Sequence, residues 1–488
     1  MLKTQSLSLH EVEASLTGSK CVDFWSLSIT EQLERLQDPY HVKQNKFVLD
    51  RAQFIAAFCT RRAGKTNGLA LRFCRAAIKH PRSFLPYFAL TRDSAKNIMW
   101  PILQDINERF SLGMELLDGD LTATFKNGSY IKLMGADMKN FVPRIKGIKT
   151  PFAAIDEAQD FSDHIRQLVE DILTPATADY GPDGCICVSG TPGPIPFGYF
   201  YEVTGMLQHG FKIHEFSIYD NPYMPDPRGF VQQLKEKKGW DDANPSYNRE
   251  YGGPDGKPKW VLDLDALVFR YNESKNSYKS LPVYNGDWSY VVGVDVGFDD
   301  ADAIAVLGWN EYHRKIYLIE EHVRSKQGIT DLAERVGELV KKYDPLKIVM
   351  DTGGLGKKIA DEMRRRFSLP IAAAEKARKF EYIELLNDAM RTGTFFATKD
   401  SHFVADSVKV KWDLESVNPK ISDSFHSDIC DAVLYAYREA LHWLSEPEDI
   451  PVVAGTPEWM KKQEREMEEL AARHVVREDS AGGFEPWE

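Results

Sequence analysis

The stretch FCTRRAGKT, residues 58–66, decides the fold of this chain. It ends in Gly-Lys-Thr, as phosphate-binding loops do, but Cys59 stands where such a loop normally opens with glycine. The apolar segment QFIAAF leads into it, and NGLALRFCRAAI leaves it with the composition of a helix. A strand, a loop and a helix in this order are what a phosphate site needs, because backbone N–H groups and the helix N-terminus must face the anion. The context therefore predicts a working nucleotide site with a variant loop.

Each polar residue of this loop has an expected role. Lys65 is expected to reach the β- and γ-phosphates of ATP, and Thr66 to place its hydroxyl on Mg²⁺. Gly64 permits close approach of the backbone to the ligand. Arg61 and Arg62 can sense phosphate charge.

A second segment, PFAAIDEAQD, resembles the acidic partner of such a loop. It reads as an apolar strand that ends in Asp156 and Glu157. Asp156 is expected to hold Mg²⁺ and Glu157 to polarise the attacking water. A third strand, CICVSG, leads to Thr191, which could sit beside the nucleotide and report its hydrolysis.

The order of apolar segments predicts an α/β protein with two folded parts. From about residue 53, short apolar runs alternate with helical stretches, which is typical of a mostly parallel sheet covered on both faces. After a segment rich in Pro, Gly and Asp, three strands, a helix, a strand and later helices follow in the order of a ribonuclease H-like sheet. The predicted division is 1–218 for a P-loop ATPase domain, 219–280 for a linker, 281–445 for a nuclease domain and 446–488 for a charged tail.

Acidic residues of the second part form a candidate nuclease site. Asp295 lies in the strand VVGVDVG, where an unpaired carboxylate would be costly, and Asp351 ends the strand KIVMD. Asp428 and Asp431 are three residues apart at a helix start, hence on one face. If these groups converge, two Mg²⁺ or Mn²⁺ ions would relieve their repulsion and support phosphodiester cleavage.

Composition narrows the functional classes further. The net charge of −12 argues against a surface coated with nucleic-acid contacts but allows local basic segments, such as residues 357–367 and 375–380. Each of these two segments can be a solvated helix face or a DNA-facing surface. The six cysteines show no CxxC pair, which favours a reducing compartment without structural zinc. No apolar run approaches a membrane span, so a soluble protein is expected.

The motifs in their order resemble those of the large terminase subunits of tailed bacteriophages. The resemblance covers roughly residues 40 to 445 and rests on TRRAGKT, IDEAQD, SGTP and the pattern GVDVG…VMDTGG…SDICDA. It implies an ATPase fused to a metal-dependent endonuclease that packages double-stranded DNA into a procapsid and cuts concatemers.

The resemblance also implies roles for single residues. Gln44 resembles a glutamine that contacts adenine, and Arg61 resembles the arginine inside the family's loop. Arg144 is the candidate for an arginine finger donated to a neighbouring subunit, although Lys146 occupies the position where relatives often carry arginine. Asp428 is the implied third nuclease ligand, with Asp431 as the alternate.

Partners and location follow from the same resemblance. Such proteins are similar to ring-forming motors, so a homo-oligomeric ring, a pentamer when assembled and a monomer in isolation, is expected on the portal protein of the procapsid. A small terminase subunit would select the DNA. The charged tail would either face the portal or capsid or form a disordered end. The expected location is the host cytoplasm, at the portal vertex during packaging.

Two other functions remain compatible with the motifs. A helicase or repair translocase with a fused nuclease would share the ATPase chemistry, although residues 190–285 offer little room for a second motor lobe. A catalytically inactive capsid-vertex protein would need no intact motifs, whereas Lys65, Glu157 and Asp295 are all present.

Overall fold

The computed structural model of the chain describes residues 23–136, 147–161, 164–283, 287–297, 301–310, 312–353, 356–413, 416 and 419–445. Its contacts divide it into two compact units. One runs to Leu281 and takes in Ala377–Asp431; the other comprises Pro282–Lys376 and the chain from Ala432 onward. No helix among the described residues combines the length and the hydropathy of a membrane span.

An eight-stranded sheet forms the centre of the first unit. Its strands are β1 (Phe54–Cys59), β2 (Phe84–Ala89), β3 (Glu115–Leu117), β4 (Thr122–Thr124), β5 (Tyr130–Gly135), β6 (Phe152–Ile155), β7 (Cys185–Gly190) and β8 (Lys212–Phe216). They lie in the order β3–β4–β5–β2–β6–β7–β1–β8. All pairings are parallel except β3–β4 and β4–β5. The predicted mostly parallel sheet is confirmed, whereas β3, β4 and β8 were not predicted.

Both faces of this sheet are covered, as the continuous apolar run of β1 requires. Ile55 and Ala57 belong to one hydrophobic core, and Ala56 and Phe58 belong to the other, because successive side chains of a strand point to opposite faces. The helices of this region are α1 (Ile29–Arg35), α2 (Val42–Leu49), α3 (Lys65–Lys79), α4 (Arg92–Phe110), α5 (His164–Gln167), α6 (Thr174–Ala178), α7 (Tyr199–Thr204), α8 (Pro227–Lys238), α9 (Pro245–Tyr251) and α10 (Glu273–Asn276).

A second sheet contains the strands predicted for the C-terminal part and one short strand, Ile371–Ala373, that was not predicted. Its strands are β9 (Trp288–Asp295), β10 (Ala301–Asn310), β11 (His313–Ser325), β12 (Lys347–Met350), β13 (Ile371–Ala373) and β14 (Phe395–Phe396), in the order β13–β12–β9–β10–β11–β14. Strands β9, β10 and β11 form an antiparallel meander, and β12 then pairs in parallel with β9. This is the ribonuclease H-like arrangement that the order of apolar segments indicated.

The helices of the C-terminal part are α11 (Ile329–Tyr343), α12 (Gly356–Phe367), α13 (Lys379–Thr392), α14 (His402–Ser407) and α15 (Asp428–Ser445). Val292 and Val294 share a core with α11. Gly293 faces α15, since a Cβ added there would overlap the carbonyl oxygen of Ala432. Asp295, two residues further along β9, therefore points to the side of α15 as well.

Candidate nucleotide and metal sites

The GKT loop connects β1 to the N-terminus of α3, as predicted. Helix α3 begins at Lys65, and Gly64 caps it with a left-handed backbone, φ 89°. A side chain at Gly64 would also meet the Gln44 amide, since an added Cβ would lie 2.8 Å from its Nε2. Glycine is therefore required here both by conformation and by space.

Helix α2 supports this loop from behind. Gln44 Nε2 donates to the carbonyl of Gly64 at 2.8 Å, and the ring of His41 lies 2.8 Å from the carbonyl of Ala63. Gln44 is buried, and its Oε1 has no hydrogen-bond partner among the described residues. The structure thus gives Gln44 a contact with the loop itself, and its contact with adenine stays a prediction.

The two arginines of the loop are held in different ways. Arg61 forms an ion pair with Glu250 at 3.0 Å, and its backbone N–H donates to the Glu250 carbonyl at 2.8 Å. Arg62 has a left-handed backbone, φ 60°, and its carbonyl accepts from Asn221 at 2.8 Å. Residues 221 and 250 belong to the predicted linker, so this segment forms part of the wall around the loop.

Asp156 lies at the end of β6, fully buried among hydroxyl donors. Thr66 and Tyr87 each donate to its Oδ2 at 3.0 Å, and Ser189, on β7, donates to its Oδ1. Burial raises the pKa of Asp156 above its ordinary value, although the charge of Lys65 opposes this. A carboxylate beside a threonine hydroxyl is an oxygen donor set that suits Mg²⁺.

Lys65 and Glu157 form an ion pair with Nζ and Oε1 2.7 Å apart. Burial lowers the pKa of Lys65, but the charges of Glu157 and Asp156 outweigh this and hold it above its usual value. Burial likewise raises the pKa of Glu157, yet Lys65 holds it below its usual range. Both groups are therefore charged at neutral pH, as phosphate binding by Lys65 and proton acceptance by Glu157 require.

Gln159 is a residue of this site that sequence reasoning missed. It donates to Glu157 Oε2 at 2.9 Å and accepts from the backbone N–H of Thr191 at 3.2 Å. Its side chain therefore joins the acidic segment to the segment that contains Thr191. The position of Gln159 in the sequence could have indicated this role. It lies two residues after Glu157, whose left-handed backbone, φ 51°, starts a short turn.

The ends of β9 and β12 carry the first two predicted nuclease carboxylates. Asp295 ends β9, and Asp351 directly follows β12, donating its backbone N–H to the Val294 carbonyl at 3.1 Å. The Asp351 side chain accepts from the Gly353 N–H at 2.7 Å and from Lys376 at 2.6 Å. The two strand ends are neighbours, while the Asp351 carboxylate is directed to Lys376.

A candidate metal group forms where α15 starts on this sheet. Ligand atoms of Asp295, His426 and Asp431 all lie within 4.8 Å of one another. His426 Nε2 also lies 3.3 Å from an oxygen of Asp428. Lys379 pairs with Asp431 at 2.7 Å. Carboxylate and imidazole ligands fit a divalent ion such as Mn²⁺.

This group differs from the predicted set in two members. It includes Asp431, named as the alternate, and His426, which sequence reasoning missed. Asp351 and Asp428 lie beside it without belonging to it. The sequence signal for His426 was its position in HSDICD, immediately before the predicted helix. Arg144 and Lys146 lie outside the described residues.

The fold and the two groups define a class: a P-loop-type α/β unit followed by a ribonuclease H-like sheet. No family model matches the sequence, and no curated protein does. In structure the chain resembles large terminases. The HK97 bacteriophage large terminase is 13% identical over 82% of this chain and 94% of its own, with a TM-score of 0.49. A large terminase from a thermophilic bacteriophage is 15% identical over 83% and 100%, with a TM-score of 0.38. The Mn-bound g2p nuclease domain of bacteriophage SPP1 is 19% identical over 31% and 86%, with a TM-score of 0.26.

Proposed function

We propose that this protein is a viral DNA-packaging motor. It hydrolyses ATP to move double-stranded DNA into a procapsid and cuts concatemeric DNA with a metal-dependent endonuclease. The observation that carries the proposal is that one chain holds a Lys65–Glu157 and Thr66–Asp156 site on one sheet and an Asp295–His426–Asp431 group on another. A helicase or repair translocase with a fused nuclease would also combine ATP hydrolysis with DNA cleavage. The order of the sequence motifs favours DNA packaging over this alternative.

In the ATPase step, Lys65 binds the phosphates once ATP draws it from Glu157. Glu157 then orients water and accepts its proton, with Gln159 holding the carboxylate. Thr66 and Asp156 would hold Mg²⁺. When bound, Mg²⁺ neutralises charge on the β- and γ-phosphates. Arg61 and Arg62 lie on the same loop and would sense the phosphate charge, and Gln44 positions the loop through the Gly64 carbonyl.

In the nuclease step, Asp295, Asp431 and His426 would hold the first of two Mg²⁺ or Mn²⁺ ions. Asp351 and Asp428, at the rim of the group, are the candidates for the second. When bound, such ions activate water and stabilise the leaving oxygen of a phosphodiester. Asp431 must release Lys379 for this.

The partners belong to the same proposal: double-stranded DNA, the portal protein, a small terminase subunit, and further copies of this chain in a pentameric ring at the portal vertex in the host cytoplasm. Arg144 or Lys146 would act as the finger toward a neighbouring copy. Residues 1–218, 219–280 and 281–445 serve as motor, linker and nuclease, and the tail from 446 on faces the portal or capsid.

Purified protein tests the two activities separately. Glu157→Gln should remove Mg²⁺-dependent ATP hydrolysis and leave Mn²⁺-dependent plasmid digestion, whereas Asp295→Asn should do the reverse. Packaging of DNA into purified procapsids should require Glu157. If each substitution removes both activities in a folded protein, or if wild-type protein has neither, the proposal is wrong.

A further inference from the structure

A small basic cavity lies at the end of the first sheet away from the GKT loop. Its volume is about 170 Å³, and it is enclosed by the C-terminal half of α3, the end of α2 and the starts of β6 and β7. Helix α3 rises about 1.5 Å per residue, so Lys79 in the cavity wall lies roughly 20 Å along the axis from Lys65. The cavity is therefore separate from the nucleotide site.

Three arginines line this cavity without a carboxylate partner. Arg51, Arg72 and Arg75 are lining residues, and none forms an ion pair with any described residue. This is unusual in a chain with 73 acidic and 61 basic residues. Burial lowers the pKa of Arg75, and the neighbouring charges of Arg72 and Arg51 lower it further. The three guanidinium groups thus repel one another, and none of them forms an ion pair with a described carboxylate.

Arg72 is the most deeply placed of the three, only 7% exposed. One terminal nitrogen donates to the carbonyls of Phe47, Val48 and Asp50 at the end of α2. Its other terminal nitrogen meets only the thiol of Cys185, a weak acceptor, at 3.2 Å. Its Nε has no hydrogen-bond partner among the described residues. The edge of the guanidinium that suits bidentate recognition of an anion is left without a strong acceptor.

The two acids in the wall are already engaged. Asp50 accepts from Lys212 at 2.5 Å and from His214 at 2.9 Å. Asp183 pairs with Lys79 at 2.5 Å. The lining holds four cationic side chains, Arg51, Arg72, Arg75 and Lys79, and these two carboxylates. Its net charge is therefore four minus two, or +2. Burial lowers the pKa of His80, which keeps that ring neutral.

We infer that this cavity is a binding site for a phosphate group. A phosphate dianion would offset the two surplus charges and supply acceptors to the arginines. A cavity of about 170 Å³ is smaller than the roughly 300–1,000 Å³ that drug-sized ligands occupy, which favours a phosphate group over a whole nucleotide. The group can come from free inorganic phosphate or from a nucleic-acid backbone. This inference does not depend on the proposed function.

The test must separate this cavity from the GKT loop, which is also expected to bind phosphate. We therefore use Lys65→Met as the parent and measure inorganic phosphate binding to it by isothermal titration calorimetry. Adding Arg51→Gln should weaken this binding by about tenfold or more, because a hydrogen bond to a charged group is lost. Arg51 is exposed and makes no hydrogen bond in the described part of the chain, so its replacement should not impair folding. Lys237→Gln, on the exposed side of α8, is the control and should change nothing.

Two outcomes overturn the inference: a Lys65→Met parent that binds no phosphate, or a parent whose phosphate affinity Arg51→Gln leaves unchanged. The source of the phosphate group is read from a second titration with a short DNA duplex. If the duplex displaces phosphate from the parent and Arg51→Gln weakens duplex binding, the group is part of a nucleic-acid backbone. If the duplex does not displace it, the ligand is free phosphate.

Discussion

At the scale of the residue, the Lys65–Glu157 pair sets both stability and chemistry. The Glu157 side chain is 29% exposed and that of Lys65 only 11%, so removing one charge leaves the other poorly solvated. We expect Glu157→Gln to lower the free energy of unfolding by about 1–3 kcal/mol at pH 7. ATP hydrolysis should fall by a factor of about 10²–10⁴, as for loss of a general base.

The sign of the pH dependence follows from the pKa of Glu157, which the fold holds below its ordinary value of 4.5. An acid with a depressed pKa stabilises the folded chain above its unfolded pKa, and this contribution is lost as the pH falls through the folded pKa. The difference in melting temperature between wild type and Glu157→Gln should therefore be largest at about pH 6–7. It should decrease progressively as the pH falls below about 4.5. A gap that widens on acidification would contradict this assignment. Glu338→Gln, in an exposed ion pair, is the control and should show almost no gap.

At the scale of the element, the Gln159 side chain links the turn after β6 to the segment after β7. It does so by hydrogen bonds to Glu157 and to the backbone N–H of Thr191. We expect Gln159→Ala to lower kcat for ATP about tenfold with little change in KM, because Glu157 loses its orienting donor while Lys65 still binds the phosphates. Gln167→Ala, on the exposed side of α5, should match wild type. A rise in KM without a fall in kcat would mean that Gln159 supports ground-state binding instead.

The contact between β9 and α15 determines where the metal group forms. A Cβ at Gly293 would overlap the Ala432 carbonyl and approach the Ala436 Cβ to 3.0 Å, so Gly293→Ala must push the helix away. We expect a loss of about 2–3 kcal/mol in unfolding free energy and weaker Mn²⁺ binding, measured by denaturation and calorimetry. Gly337→Ala is the matched control: no atom lies within 4 Å of its Cβ, and it should stabilise α11 by about 0.5–1 kcal/mol. Equal effects of the two substitutions would refute the packing argument.

At the scale of the whole molecule, the architecture could be predicted from the sequence because local sequence patterns determine the strands of each sheet. The buried run of β1, the helix after Gly64 and the meander of β9, β10 and β11 all follow from apolar periodicity and turn residues. Side-chain partners were harder, because they depend on contacts distant in sequence. No local sequence pattern indicates that Glu250 pairs with Arg61 or that Tyr87 donates to Asp156. His426 joins the candidate metal group only once α15 packs on β9.

The two sites should also be separable in one molecule, which gives the last prediction. His426→Ala removes one ligand of the candidate metal group and leaves Lys65, Thr66, Asp156 and Glu157 of the nucleotide site unchanged. We expect Mn²⁺ binding, followed by calorimetry, to weaken about tenfold or more and plasmid digestion to fall with it, while the ATPase rate stays at the wild-type level. Asp428→Asn should have a smaller effect on Mn²⁺ affinity, since Asp428 contacts His426 without joining the group. If Asp428→Asn abolished Mn²⁺ binding and His426→Ala did not, the ligand set would be the one inferred from the sequence resemblance, and His426 would be a neighbour rather than a ligand.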